Sequence, residues 1–268
     1  MTHAGLAGLD LTLVRDTFFA AADAAAVPTL SGFRTPQAVE NKWATGFDPV
    51  TASDKDAEIA IRSVIAARFP DHGIIGEEWD PKQSSGAFDW IVDPIDGTRA
   101  FISGVPVWGT LVGLMRDGKA IAGMMAQPFT GETWMGLGGE ALYRHGGRVE
   151  SIRTSGLKDL SRAKMSATSP DIFEQTGTWD IFNRLRGRVL QCRWGLDCYG
   201  YCLVAAGHLD LVVEAGLKNV DIAPLVPIIE AAGGVVTTWA GEPPEKGGNI
   251  IASATRELHE AAMAVLNG

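Results

Sequence analysis

The sequence predicts an α/β fold in which layers of helix and sheet alternate, and three observations lead there. Helix-forming segments with an apolar stripe open the chain, a run of short β-type segments follows, and from about residue 160 the two kinds interleave to the end. No Gly/Ser-rich or Pro-rich linker and no internal repeat divides the 268 residues. The expected organisation is therefore two interdependent sub-domains, 1–150 and 151–268.

From residue 6 to 26, alanines alternate with Leu9, Leu13, Phe18 and Phe19, which specifies a helix with an apolar side. Pro28, Gly32 and Pro36 then predict an irregular connection. A second helix is expected after Asp54, turning Ile59, Ile61, Val64, Ile65 and Phe69 inward and ending near Pro70. Gly73-Ile74-Ile75 and Phe88-Asp89-Trp90-Ile91-Val92 read as strands whose ends deliver Glu77-Glu78 and Asp93.

Residues 107–115, 120–127 and 133–137 read as three further strands, joined by turns at Asp117-Gly118 and Phe129-Thr130-Gly131. Gly136-Leu137-Gly138-Gly139 is a strand-end turn, because the full glycine fingerprint of a dinucleotide site is absent. A strand at 163–167, a helix within 170–186, a strand at 189–192, a helix at 197–206 and a strand at 209–214 follow. Asp221 stands at a helix start, as a candidate N-cap, before an apolar helix at 225–232 that Gly233-Gly234 closes. A strand at 235–238 and a helix at 255–266 complete the chain.

Composition narrows the function classes. Thirty-two acidic against 23 basic residues give a formal charge of -9, which argues against the basic face of a nucleic-acid binder. No apolar stretch reaches the ~20 residues of a membrane-crossing helix, and Met1-Thr2-His3-Ala4 does not begin a secretory signal. A soluble cytoplasmic protein is expected, with no nucleic-acid or membrane partner. Cys192, Cys198 and Cys202 lack the paired spacing of a zinc site and read as core cysteines. Arg184, Arg186, Arg188 and Arg193 read as a solvated basic patch, from which one residue can reach a neighbouring subunit's substrate.

The chemistry concentrates in Asp93-Pro94-Ile95-Asp96-Gly97-Thr98. Hard divalent cations seek oxygen donors, and Mg²⁺ demands near-octahedral coordination at short distance. Two carboxylates on a sharp turn can face one pocket, with the Ile95 carbonyl as a further oxygen. Pro94 restricts the backbone and Gly97 permits the turn. Glu77 can bind a cation directly and Glu78 can help arrange water. Asp221, after Glu214, supplies a third carboxylate if it folds back beside Asp93 and Asp96. A solvent-exposed turn and a plain helix cap are the alternatives at these positions. No GxSxG elbow is present, and His3, His72, His145, His208 and His259 form no catalytic dyad with the acidic motifs.

In this order, Gly76-Glu77-Glu78, the 93–98 segment, and Val220-Asp221-Ile222-Ala223 followed by Gly233-Gly234 resemble the inositol monophosphatase family. The resemblance covers nearly the whole chain, from Asp48-Pro49-Val50-Thr51-Ala52-Ser53-Asp54 onward. It implies a sandwich of alternating helix and sheet layers, a homodimer, and Mg²⁺-dependent hydrolysis of a small phosphate monoester. By that resemblance Glu77, Asp93 and the Ile95 carbonyl bind one metal, and Asp93, Asp96 and Asp221 surround another. The catalytic set it implies is Asp54, Thr98 and Glu77, with Asp54 and Thr98 orienting the attacking water. Gly97 and Thr98 offer backbone N–H groups to phosphate; Lys42 matches only approximately.

Two departures bear on the substrate. Inositol-specific members continue Gly-Thr with a Thr-Asn-Phe type segment and place Trp before the last Asp; here stand Arg99-Ala100-Phe101-Ile102-Ser103-Gly104 and Val220. The segment from Arg99 to Gly109, with Leu196-Asp197-Cys198-Tyr199-Gly200-Tyr201, is closer to the histidinol-phosphate phosphatase members, which act in histidine biosynthesis. Asp197, Glu214 and Arg193 are then the candidate substrate contacts beside Gly97 and Thr98, the two acids facing the substrate's amine. The alternatives are a phosphatase of inositol or another sugar or polyol phosphate, and a catalytically silent metal-dependent binding protein.

Overall fold

A computed structural model of the chain describes residues 6–36, 38–41 and 49–268. His3, Lys42 and Asp48, named above, lie outside the described residues.

The chain opens with α1 (Leu11–Gly32), capped by the Asp10 carboxylate, which accepts the N–H groups of Thr12 and Leu13. The helix begins later than its sequence pattern and runs through Pro28 rather than stopping there. Burial of Thr29, Gly32 and Phe33 rewards the extra turn, and Thr29 donates its hydroxyl to the Ala25 carbonyl. After β1 (Glu40–Asn41) and β2 (Pro49–Val50) comes α2 (Ala52–Arg68). Its buried stripe is Asp54, Ala57, Glu58, Ile61 and Ile65, a 3.6-residue repeat that contains two carboxylates. Ile59, expected inside, is 48% exposed because it stands one position past that stripe.

Next come β3 (Gly73–Gly76), β4 (Phe88–Asp96), α3 (Thr98–Ile102), β5 (Gly109–Arg116), β6 (Lys119–Gln127) and β7 (Glu132–Leu137). Two strands unforeseen in the sequence extend the sheet: β8 (Glu140–His145) and β9 (Arg148–Ser151). They are short and largely solvent-facing, so they carry little apolar alternation. β10 (Lys164–Ala167) is followed by α4 (Pro170–Gln175) and α5 (Trp179–Arg186), two helices where one was expected, parted at Gly177 with φ 68°. Then follow β11 (Gln191–Trp194), α6 (Asp197–Ala205), β12 (Leu211–Leu217), α7 (Asn219–Ile222), α8 (Val226–Ala231), β13 (Val235–Thr238), β14 (Gly248–Ser253) and α9 (Arg256–Asn267). The strand β14 was also unforeseen.

Strands β3 to β9 form a seven-stranded sheet in sequence order, and β11-β10-β12-β14-β13 form a five-stranded one. Five layers result. α1 and α2 cover one face of the larger sheet, burying Val14, Phe18, Ile61 and Ile65 against Trp90, Val92, Val112 and Met124. α6 and α8 fill the space between the sheets. α4, α5 and α9 cover the far face of the smaller sheet, with Phe173, Phe182 and Leu258 against Met165, Leu211 and Ile251. Helix and sheet layers thus alternate as expected.

The middle layer approaches the larger sheet along a track of small residues. Gly113 pairs with Gly123 and Gly123 with Gly136, so three glycines lie side by side across β5, β6 and β7. A methyl group on Gly123 would stand 1.9 Å from the Pro224 carbonyl oxygen, and one on Gly136 would stand 2.2 Å from that of Pro227. Only bare backbone admits the 224–228 segment this closely.

Candidate active site

Parallel pairing of β3 with β4 brings the segment after Gly76 beside Asp93. β4 continues past Pro94, which has no N–H to give its neighbour, and the register against β5 shifts between Asp93 and Asp96. The irregular stretch is closed by side chains: Ile95 N–H donates to Asp93 Oδ1 at 3.0 Å and Thr110 Oγ1 to the Pro94 carbonyl at 2.9 Å. Gly97, with φ 80°, then turns the chain into α3.

Asp221 reaches the same place from α7. It is the third helical residue, accepting the Lys218 N–H at 2.7 Å, and not the N-cap expected from sequence. Ligand oxygens of Asp93, Asp96 and Asp221 all lie within 4.8 Å of one another. Burial, then the charges of Glu77, Asp96 and Asp221, hold the Asp93 carboxyl well above the usual carboxylate range. Asp96 is raised by burial and by Asp221 and Asp197; the Cys198 N–H, donating to its Oδ2 at 2.9 Å, offsets part of the rise. Hard oxygen donors that repel one another, one buried and two half-buried, fit a divalent cation, whose charge would reverse that repulsion. This cluster can coordinate a divalent metal, in keeping with Mg²⁺.

Glu77 stands beside this triad. Its Oε1 receives the Lys218 ammonium at 3.0 Å, while its charge contributes to raising Asp93. The turn carrying it is fastened from behind by α2. Buried Glu58 accepts the Glu78 N–H at 2.8 Å and the Arg62 guanidinium at 2.7 Å, and Arg62 also donates to the Trp79 carbonyl at 3.0 Å. Gly76 is required here, since a methyl group on it would meet Glu58 Oε1 at 1.8 Å.

Asp54 is the third residue of α2, where its Oδ2 accepts both the N–H and the hydroxyl of Thr51, at 2.8 and 2.6 Å. Its Oδ1 lies 3.4 Å from Thr98 Oγ1, and that hydroxyl also reaches the Ile95 carbonyl at 3.0 Å. The two residues named from sequence as a pair are thus brought together, and the Ile95 oxygen already has one partner.

Glu77, Asp93, Ile95, Asp96, Thr98 and Asp221 line a cavity of about 300 Å³, together with Gly97, Arg99, Thr168, Asp197, Tyr201 and Glu214. Asp197 opens α6 with φ 45°, an uncommon conformation for a residue with a side chain. Burial pushes its carboxyl up to about 6, against the opposing effects of Thr168 and Arg99. Glu214 sits mid-strand in β12, not at a strand end; its Oε1 accepts the N–H and hydroxyl of Thr168 at 2.8 and 2.9 Å. Burial pushes it up to about 8. Arg193 is exposed on the edge strand β11 and does not line the cavity of its own chain.

Sequence reasoning missed Glu58, Lys218 and Thr168, and met Tyr201 only as part of the 196–201 segment. Glu58 had a legible signal, standing one helical turn after Asp54 on the same face. The others depend on contacts between distant segments.

A family model described as the inositol monophosphatase family matches residues 10–267. The chain is 39% identical over 228 residues to the bifunctional phosphatase IMPL2 of Arabidopsis thaliana, covering 81% of this chain and 65% of that protein's length. It is 33% identical over 219 residues to a histidinol-phosphatase of Chlorobaculum parvum, covering 81% of this chain and 83% of the other. In structure it is similar to an inositol monophosphatase from Zymomonas mobilis, with a TM-score of 0.83 and 36% identity over 95% of this chain and 98% of that one.

Proposed function

Since the chain belongs to the inositol monophosphatase family, we propose that it is a Mg²⁺-dependent phosphatase of small phosphate monoesters. The observation that carries this reading is the convergence of Asp93, Asp96 and Asp221 from segments more than 120 residues apart to within 4.8 Å.

In this reading Asp93, Asp96, Asp221, Glu77 and the Ile95 carbonyl hold the metal ions. When bound, Mg²⁺ supplies Lewis acidity, making water a better nucleophile and stabilising charge on the phosphoryl group. The chain's own residues do the orienting. Thr98 directs its hydroxyl hydrogen to Asp54, which leaves an oxygen lone pair to accept a hydrogen bond from the attacking water. That contact aims the water at phosphorus, and its proton passes through the Thr98 hydroxyl to Asp54 Oδ1. The new P–O bond forms as the ester P–O bond breaks, and the departing alkoxide takes a proton from solvent near Asp221. The N–H groups of Gly97 and Thr98 steady the phosphate. The 1–150 part supplies most metal ligands, and the 151–268 part supplies Asp221 and the recognition wall.

For the substrate, the comparisons give broader backing to inositol or another polyol phosphate: the family's description and the Zymomonas structure both point there. The narrower reading, histidinol phosphate, has its own support. The Chlorobaculum relative bears that activity in its name, and Asp197 and Glu214 suit a substrate carrying an amine. Phosphate release from histidinol phosphate and from myo-inositol 1-phosphate by the purified full chain, with and without Mg²⁺, tests both levels. Mg²⁺-dependent release from either ester upholds the class, and the larger kcat/KM assigns the substrate. Absence of release from both, at saturating Mg²⁺, would overturn it in favour of a silent binding protein. A homodimer belongs to the same reading, with Arg193 of one copy reaching toward the other's cavity.

A further inference from the structure

Two tyrosines from different layers share one carboxylate. The Tyr143 hydroxyl, on β8, donates to Glu132 Oε1 at 2.7 Å, and the Tyr199 hydroxyl, on α6, donates to Oε2 at 2.8 Å. Glu132 begins β7, so the first bond stays inside the larger sheet and the second crosses to it from the middle layer. Trp134 packs against both rings, 5.2 Å from Tyr143 and edge-on at 5.2 Å from Tyr199. Glu132, Tyr143 and Tyr199 are half-buried, where a hydrogen bond to a carboxylate is stronger than in water. Burial, then the bond to Glu132, push the Tyr143 phenol up to about 12 and the Tyr199 phenol further still, so both remain donors.

The place of Tyr199 in the chain carries this bond to the acid cluster. Asp197, Cys198 and Tyr201 of the same helix line the cavity, whereas the Tyr199 side chain leaves toward the larger sheet. Its neighbour Cys198 donates the backbone N–H that Asp96 Oδ2 accepts at 2.9 Å. Asp96 follows the register shift in β4, where the regular ladder with β5 is interrupted. The start of α6 has little intrinsic support: Asp197 stands at φ 45°, and Leu196 before it has no side chain that can cap the helix. Such a start keeps its place only when its surroundings hold it. Glu132 in β7 and Asp96 in β4 belong to one sheet, so the phenol–carboxylate bond ties the helix start to the frame that carries the acid.

We propose that Tyr199 is a positioning residue for metal binding: latched to Glu132, it sets the start of α6 so that the Cys198 N–H holds the Asp96 carboxylate beside Asp93 and Asp221. This rests on the proposed phosphatase reading only for the use to which the metal is put. Tyr143 offers the contrast. It shares the same carboxylate but joins two strands already paired side by side, so its hydroxyl does not act on α6.

Calorimetric titration of Mg²⁺ into the full chain tests the latch without turnover. Tyr199→Phe is expected to weaken Mg²⁺ about tenfold, the lower end for loss of a group that orients a metal ligand. Tyr143→Phe should change it by less than about twofold, although each variant loses one hydrogen bond to Glu132 and the urea midpoints should shift alike. In phosphate release the Tyr199→Phe defect should lie in the Mg²⁺ requirement, with kcat/KM down about tenfold at limiting Mg²⁺ and within about twofold of natural at saturating Mg²⁺. Tyr199→Phe added to Glu132→Ala should cost no further Mg²⁺ affinity, since the two residues act as one unit. Unchanged Mg²⁺ affinity in folded Tyr199→Phe, equal weakening in Tyr143→Phe, full additivity with Glu132→Ala, or no Mg²⁺ binding by the natural chain overturns the proposal. A loss of turnover that saturating Mg²⁺ does not restore overturns it too. If the natural chain binds Mg²⁺ yet releases phosphate from neither ester, the phosphatase reading fails and the titrations still decide the role of Tyr199.

Discussion

Glu58 Oε2 accepts the backbone N–H of Glu78 at 2.8 Å, although the two belong to different layers of the fold and Glu58 is fully buried. The contact makes a helix of the outer layer the support for the loop that carries Glu77. With Arg62 bridging Glu58 to the Trp79 carbonyl, both sides of the loop are held.

Glu58→Ala therefore leaves the mostly buried Arg62 without its carboxylate and the Glu78 N–H without its acceptor. A loss of about 3 kcal/mol in urea unfolding is expected. Calorimetric titration of the folded variant should show Mg²⁺ affinity reduced by about 10–100-fold, the range for removing a group that orients a metal ligand. Retention of natural affinity would show that the loop keeps its place unaided.

Asp93→Asn keeps the shape of the side chain and removes one of the crowded charges. In metal-free protein the melting temperature should rise by a few degrees, on the order expected from relieving a buried, mutually repelling carboxylate. Mg²⁺-dependent phosphate release should fall by at least about 100-fold. The two effects have opposite signs, so scanning calorimetry and a turnover assay on one preparation separate them from general misfolding.

Lys218→Met removes the ammonium that now rests on Glu77. The carboxylate then faces the acid cluster without a competing cation, and Mg²⁺ affinity should rise by about threefold. The backbone N–H of residue 218 still donates to Asp221, so the third acid keeps its anchor. Weaker Mg²⁺ binding in this variant would instead make Lys218 part of the metal-loaded arrangement.

His259 provides a pH signature away from the cavity. Its ring contacts Ser253 Oγ at 2.9 Å and Thr237 Oγ1 at 3.0 Å, and burial, with a smaller effect of Arg256, pushes it down to about 4. Unfolded histidine titrates near 6.5. Between these values the unfolded chain binds a proton that the folded chain does not. Stability is thus fully present above the unfolded value and is lost as pH falls toward the folded one. Urea unfolding at pH 7.5 and 5 should show a loss of up to about 2 kcal/mol assignable to this residue, and His259→Gln should remove that difference. The carboxyls raised by burial act in the opposite direction, which is why the comparison is with the variant.

Much of the fold was legible because periodicity reports burial locally. The stripe of α2 and the turns at Asp117-Gly118 and Phe129-Thr130-Gly131 are written in neighbouring residues. Ile59 and the strands β8, β9 and β14 were misread or missed, since a facing shifted by one position or a short exposed strand leaves little local pattern. At the site, Asp93, Asp96 and Asp221 stand together as their order suggested, and Thr98 meets Asp54. Lys218 on Glu77, Thr168 on Glu214 and the Cys198 N–H on Asp96 arise where chain segments up to 141 residues apart meet, and no nearby spacing encodes them.

The glycine track across β5, β6 and β7 has a consequence for how this protein tolerates change. Asp221 stands three residues before the 224–228 segment that Gly113, Gly123 and Gly136 admit, so the distance between the metal-facing acids is set partly by three residues with no side chain to offer chemistry. An alanine in that row would act as a shim, lifting one half of the molecule from the other and spreading the acids apart while every acid kept its identity. Inactivating substitutions in this chain should therefore fall into two groups, one at the carboxylates and one on this silent seam beneath them.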